Sequence, residues 1–210
     1  FELAANDARC FGNEDGSIAV NNINGDFPPY TYAWSDGQQT ATAQDLPAGP
    51  YSVTVTDAQG CFASRTAAVA QPAPLEVNFE KEDNPCFGDS KGSIDIGIKG
   101  GVPGYSIMWS TGDTNTSLSS LPAGEYIVTV TDQNGCEMEV SNIIEEPDPL
   151  EASLAKKDPT CFGFQDGAIT IAPSGGTPPY RYSLDGDFFS GSSMLIGLKA
   201  NEYNVRIRDA

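Results

Sequence analysis

The chain has 210 residues, 29 of them acidic and 11 basic, with no histidine and a net charge of −18. So acidic a chain repels nucleic acid and anionic membrane surfaces, and no apolar run reaches the length of a membrane span, so no membrane insertion is expected. Without histidine a Ser-His-Asp or Cys-His arrangement is excluded, and nothing among the many carboxylates selects a hydrolytic pair, so the expectation is not an enzyme.

The first recognisable element is the triplet Cys10-Phe11-Gly12, followed by Gly16-Ser17-Ile18. A Pro-bearing turn, Gly25 to Pro29, then leads into an inward-facing aromatic set of Tyr30, Tyr32 and Trp34. The turn Leu46-Pro47-Ala48-Gly49 follows, then the alternating Tyr51, Val53 and Val55, then Thr56-Asp57 and Cys61. The same order returns from Cys86-Phe87-Gly88, through Ile94, Ile96 and Ile98, Tyr105, Ile107 and Trp109, and Tyr126, Val128 and Val130, to Asp132 and Cys136. A third copy opens at Cys161-Phe162-Gly163 and runs through Tyr180 and Tyr203, Val205 and Ile207 to Asp209, with Leu184 where the others have Trp. The copies lie about 75 residues apart, the size of a small domain.

Period-two alternation marks half-buried strands. No segment carries a helical period, and Gly and Pro interrupt the chain too often for one. Several short strands per copy predict an all-β protein of three tandem immunoglobulin-like β-sandwich domains. The expected boundaries are residues 1–73, 74–148 and 149–210. The links Gln71-Pro72-Ala73-Pro74 and Glu146-Pro147-Asp148-Pro149 are short and Pro-rich, so they act as semi-rigid spacers in an extended array. Where the first two copies have Gly49 and Gly124, the third has Asn201, which predicts a left-handed backbone there.

Five cysteines resolve into two pairs within repeats and one left over. The expected disulfides are Cys10–Cys61 and Cys86–Cys136, with Cys161 partnered beyond the chain, which reads as a piece of a longer array. Closing a loop of about 50 residues stabilises by roughly 4 kcal/mol in the chain-entropy account, and such bonds point to an extracytoplasmic compartment. Phe11, Phe87 and Phe162 are expected to cover the disulfides.

Two acidic positions recur: Asp7, Asp83 and Asp158 before the first cysteine, and Asp57, Asp132 and Asp209 before the second. Two readings stand. In one, the sets meet at one end of each domain and hold calcium, the sole cofactor the sequence suggests. In the other, Asp57 and Asp132 bond the backbone of an Asx-type turn. Trp34 and Trp109 also carry two readings, as core residues in phase with Tyr30 and Tyr105 or as a sugar-binding face. The second would make the chain a carbohydrate-binding array of a secreted polysaccharide-processing protein.

Cys-Phe-Gly, Asp15-Gly16-Ser17-Ile18, the Pro28 to Ser35 segment, Leu-Pro-Ala-Gly-x-Tyr, and Val53 to Asp57 with Gly60-Cys61 together resemble SprB repeats. The resemblance spans all three copies and implies the shaft of a large surface adhesin of gliding Bacteroidetes, exported by the type IX system. It implies an extracellular, cell-surface location and a role in gliding motility or attachment. The partners it implies are further repeats of the same polypeptide, the cell-surface gliding or secretion machinery, and surface polysaccharide.

Overall fold

The structure is a computed structural model that describes residues 1–184 and 186–210. Among these residues every regular element is a strand. The first copy contributes β1 (Glu2–Asn6), β2 (Gly16–Asn21), β3 (Thr31–Trp34), β4 (Thr42–Leu46), β5 (Gly49–Thr56) and β6 (Phe62–Val69). The second contributes β7 (Glu76–Glu82), β8 (Gly92–Lys99), β9 (Ser106–Trp109), β10 (Ser117–Leu121), β11 (Gly124–Thr131) and β12 (Glu137–Ile144). The third contributes β13 (Glu151–Lys157), β14 (Gly167–Ser174), β15 (Arg181–Leu184), β16 (Met194–Leu198) and β17 (Val205–Arg208).

The strands of the first copy form two antiparallel sheets, β1-β2-β4 and β3-β5-β6. This is the A-B-E and C-F-G arrangement of an immunoglobulin-like sandwich. The same orders recur as β7-β8-β10 with β9-β11-β12, and as β13-β14-β16 with β15-β17. A second hallmark is the tyrosine corner, in which a Tyr near the start of strand F bonds back to the preceding turn. Tyr51 donates to the Pro47 carbonyl at 2.8 Å, Tyr126 to Pro122 at 2.9 Å and Tyr203 to Lys199 at 3.1 Å.

Alternation builds the core. Ile18 and Val20 from β2, Ala43 and Leu46 from β4, Trp34 from β3, Val53 and Val55 from β5 and Val69 from β6 pack as one buried cluster between the first two sheets. The Trp34 indole donates to the Thr40 carbonyl at 2.8 Å, so its one polar atom is satisfied inside. Trp109 is buried with the same bond to Asn115. Both tryptophans are core residues, which removes them as a sugar-binding face.

The left-handed position lies elsewhere than the sequence predicts. Gly49 and Asn201 do not have positive φ, and Gly124 (φ 159) stands at the edge of extended backbone, away from the left-handed helical region. Instead Asp45 (φ 54), Ser120 (φ 59) and Gly197 (φ 77) do, one residue before the buried leucines 46, 121 and 198. Each sits where the pairing register shifts by a bulge. The bulge places the leucine inward, and the residue before it carries the turn.

The chain forms two compact units. One holds Phe1–Phe79, Ile96–Thr116 and Ile127–Ser141. The other holds Glu80–Asp95, Ser117–Tyr126 and Asn142–Ala210. In the first unit, a Cβ on Gly16 would collide with Val69, so that glycine lets β6 close over the sandwich end. In the second, Ile144 stands over Gly92 in the same way. At the corresponding Gly167 there is instead a cavity of about 510 Å³, lined also by Pro159, Ile169, Leu198 and Tyr203.

Candidate functional site

Strand direction decides what each cysteine can reach. β5 pairs with β6 from Gly49↔Val69 at one end to Thr56↔Phe62 at the other. Cys61 stands before β6, at the Thr56 end. Cys10 lies at the opposite end, because its loop is tied to the residues just after β6. The Ala8 amide donates to the Ala70 carbonyl at 2.9 Å, the Ala70 amide to the Asp7 carboxylate at 2.8 Å, and the Gly12 amide to the Gln71 side chain at 2.7 Å. Eight strand residues separate the two ends, roughly 25 Å. A disulfide needs Cα atoms within about 7 Å. The expected Cys10–Cys61 bond is therefore ruled out by topology.

Cys10 instead bonds Cys136, with Cα atoms 5.7 Å apart. This also corrects the expected Cys86–Cys136 pair. The bond runs from the loop after β1 to the turn between β11 and β12, so it joins two successive copies. Beside it the Asn134 side chain donates to the Arg9 carbonyl at 2.8 Å. Cys61, Cys86 and Cys161 are free thiols, with Cys86 half-buried and the other two exposed. The phenylalanines do not cover the bond, for Phe11 and Phe87 are more than half exposed and Phe162 fully so.

The turn that carries Cys136 is built by Asp132. Its carboxylate accepts from the amides of Asn134 and Cys136, each at 2.9 Å, and from Val102 at 2.8 Å. Burial pushes the Asp132 carboxyl up, but the backbone N–H bonds outweigh it and hold the group below its ordinary value. Asp57 makes the matching turn, accepting from Gln59 and Cys61 at 2.9 Å. Asp209 accepts from Thr177 at 2.8 Å, the counterpart of the Val102 bond. The bonds that Asp57 and Asp132 accept from the residues two and four further on are the Asx-type bonds of the second sequence reading.

The other acidic set has a different task. Asp7 and Asp83 receive the amides of Ala70 and Glu145, at 2.8 Å in both cases, and fasten the cysteine loop to the residue just after the last strand of its repeat. The Glu145 amide, and then Lys81 at 2.9 Å, hold the Asp83 carboxyl low. Asp158 pairs with Lys156 at 3.3 Å. The expectation that Asp7 and Asp57 share one end of a domain is corrected along with the disulfide on which it rested. Among the described residues no cluster of three or more His, Cys, Asp or Glu is arranged to hold a metal ion.

Three contributors went unread in the sequence. Gln71 and Glu146 lie in the supposed spacers, yet their side chains accept the amides of Gly12 and Gly88, each at 2.7 Å. Their signal was available: each stands two residues past a buried Val69 or Ile144, in phase with the repeat. The buried Asn84 accepts from the amides of Lys91 and Gly92 and donates to Leu121. It had no such signal, because Ala8 and Pro159 occupy that position in the other copies.

A family model described as the SprB repeat matches residues 3–39, 78–114 and 153–187. No curated protein matches the chain. Among solved structures, the N-terminal eight Ig domains of Down Syndrome Cell Adhesion Molecule isoform 1.30.30 match with 17% identity over 76% of this chain and 25% of that one, at a TM-score of 0.30. The N-terminal four Ig domains of Dscam1 isoform 6.44 match with 9% identity over 99% and 69%, at 0.27. A tetra-tandem repeat in the extending region of a large adhesion protein matches with 13% identity over 94% and 66%, at 0.24. The chain thus spans a quarter of the first of these relatives.

Proposed function

This chain belongs to the SprB repeat family, and from that premise we propose that it is a non-enzymatic structural segment of a cell-surface adhesin. Residues 1–73, 74–148 and 149–210 act as serial modules that carry and present an adhesive part in surface attachment or gliding, after export by the type IX system. Its partners are further repeats of the same polypeptide, the cell-surface gliding or secretion machinery, and surface polysaccharide.

The observation that carries this reading is the Cys10–Cys136 bond. A covalent link between successive copies adds no chemistry to a substrate site, but it secures a junction. Such a bond also belongs to an oxidising compartment. The burial of Trp34 and Trp109 counts against the carbohydrate-binding array.

Antibodies raised against residues 1–210 should label intact cells of the source organism without permeabilisation. Labelling that requires permeabilisation overturns the surface reading. On a glycan array the chain should bind no sugar; strong, saturable binding by these three repeats alone would replace the structural role with recognition.

A further inference from the structure

We propose that the disulfides of this chain run between repeats as a rule, each Cys-Phe-Gly cysteine bonding the cysteine in the turn before the last strand of the next repeat. Cys10–Cys136 is the one instance completed within residues 1–210. The rule assigns Cys86 to a cysteine in the turn that begins at Asp209. Where a repeat precedes or follows, the rule would pair Cys61 with the Cys-Phe-Gly loop of the former and Cys161 with the turn of the latter. The inference rests on the observed bond and not on the surface role proposed above.

Cys86 is presented as Cys10 is. The Asn84 amide donates to the Glu145 carbonyl at 2.9 Å, the Glu145 amide to Asp83 at 2.8 Å and the Gly88 amide to Glu146 at 2.7 Å. These are the counterparts of the Ala8–Ala70, Ala70–Asp7 and Gly12–Gln71 bonds that hold the Cys10 loop.

The receiving turn is also in place. Around Cys136, the Val102 amide donates to Asp132 at 2.8 Å and the Gln133 amide returns a bond to the Val102 carbonyl at 3.1 Å. In the third copy the Thr177 amide donates to Asp209 at 2.8 Å and the Ala210 amide returns a bond to Thr177 at 2.9 Å. The Thr177 hydroxyl donates to the Pro85 carbonyl at 3.3 Å, next to Cys86. The start of the turn therefore stands against the residue before Cys86, as the Cys136 turn stands against Arg9 through Asn134.

The step is a two-electron oxidation. Cys86 and the incoming cysteine each give up a thiol proton, one sulfur–sulfur bond forms, and both electrons pass to the disulfide of a thiol–disulfide oxidant, which leaves as a dithiol.

The test extends the full chain. Asp209-Ala210 repeats Asp57-Ala58, so residues 59–72 of this sequence, appended after Ala210, supply a matching turn, cysteine and last strand. Free thiols are alkylated and the disulfides mapped by non-reducing peptide mass spectrometry. Cys86 is expected to be bonded to the added cysteine, Cys10–Cys136 to remain, and Cys61 and Cys161 to be alkylated. Pairing of the added cysteine with Cys161, or an alkylated Cys86 beside an intact Cys10–Cys136, overturns the rule. A second variant does not depend on the extension folding. In Cys136→Ser of the unextended chain, Cys10 should become alkylatable, and a Cys10–Cys61 bond in its place overturns the rule.

Discussion

Replacing Asp132 by Ala should destabilise the second repeat more than any other single turn substitution, and the amount follows from its contacts. Asp132 is 5% exposed, and its carboxylate accepts three backbone amides, from Val102, Asn134 and Cys136. Bonds to a charged acceptor contribute about 1.5–3 kcal/mol each when isolated, but the Asn134 and Cys136 amides can turn to water once the carboxylate is gone. A net loss of about 2–4 kcal/mol is expected. Asp57 is the internal control, with two such bonds and greater exposure; its Ala variant should lose about 1–2 kcal/mol. Urea unfolding followed by tryptophan fluorescence measures both, and hydrogen exchange over residues 126–137 assigns the loss to the second repeat. A cost for Asp132→Ala no greater than for Asp57→Ala refutes the reasoning, because the Val102 bond and the burial must make the difference. The pH dependence gives a second check. The folded carboxyl lies below the ordinary aspartate value of 3.8, so its contribution is complete above that value and is lost as pH falls through the folded one. The gap between wild type and Asp132→Asn should therefore narrow as pH drops below 3.8.

Reducing Cys10–Cys136 should lower the melting temperature; its sequence separation of 126 sets an upper value of about 5 kcal/mol in the chain-entropy account, and melts with and without reductant that coincide would deny it a stabilising role. Ser120→Gly should stabilise by roughly 0.5–1 kcal/mol, since φ is 59° there and the third copy already uses Gly197; a lower denaturation midpoint would contradict the strain. Tyr126→Phe should cost about 1 kcal/mol by removing the bond to Pro122, and an unchanged midpoint would count against the corner. EGTA is expected to leave the melting curve unchanged, because Asp7 and Asp57 serve separate turns; a calcium-dependent rise of several degrees would revive the metal reading.

The strands were legible because alternation reports a sandwich directly: Tyr51, Val53 and Val55, and Tyr126, Val128 and Val130, all face inward as read. The Asx turns were legible because Asp-x-x-Gly-Cys is a local signal. The disulfide was not, because cysteine spacing measures distance along the chain and says nothing of which end of a sandwich a loop occupies. Strand direction carries that information: Cys10 follows the first strand and Cys61 precedes the last, and those loops lie at opposite ends. The left-handed position was missed for a similar reason. The Gly-to-Asn exchange at 201 is a visible residue signal, whereas the Asp45, Ser120 and Gly197 series, set by a bulge, has no shared residue type.

The bond at Cys10 also turns residues 10–136 into a covalent ring. A protease that cuts anywhere inside that ring severs the polypeptide without separating its two parts, which stay joined through sulfur. Tension applied at Phe1 and Ala210 likewise crosses from Cys10 to Cys136 through a single bond. The 125 residues between them hang as a side loop that an external pull cannot draw out until the sulfurs part.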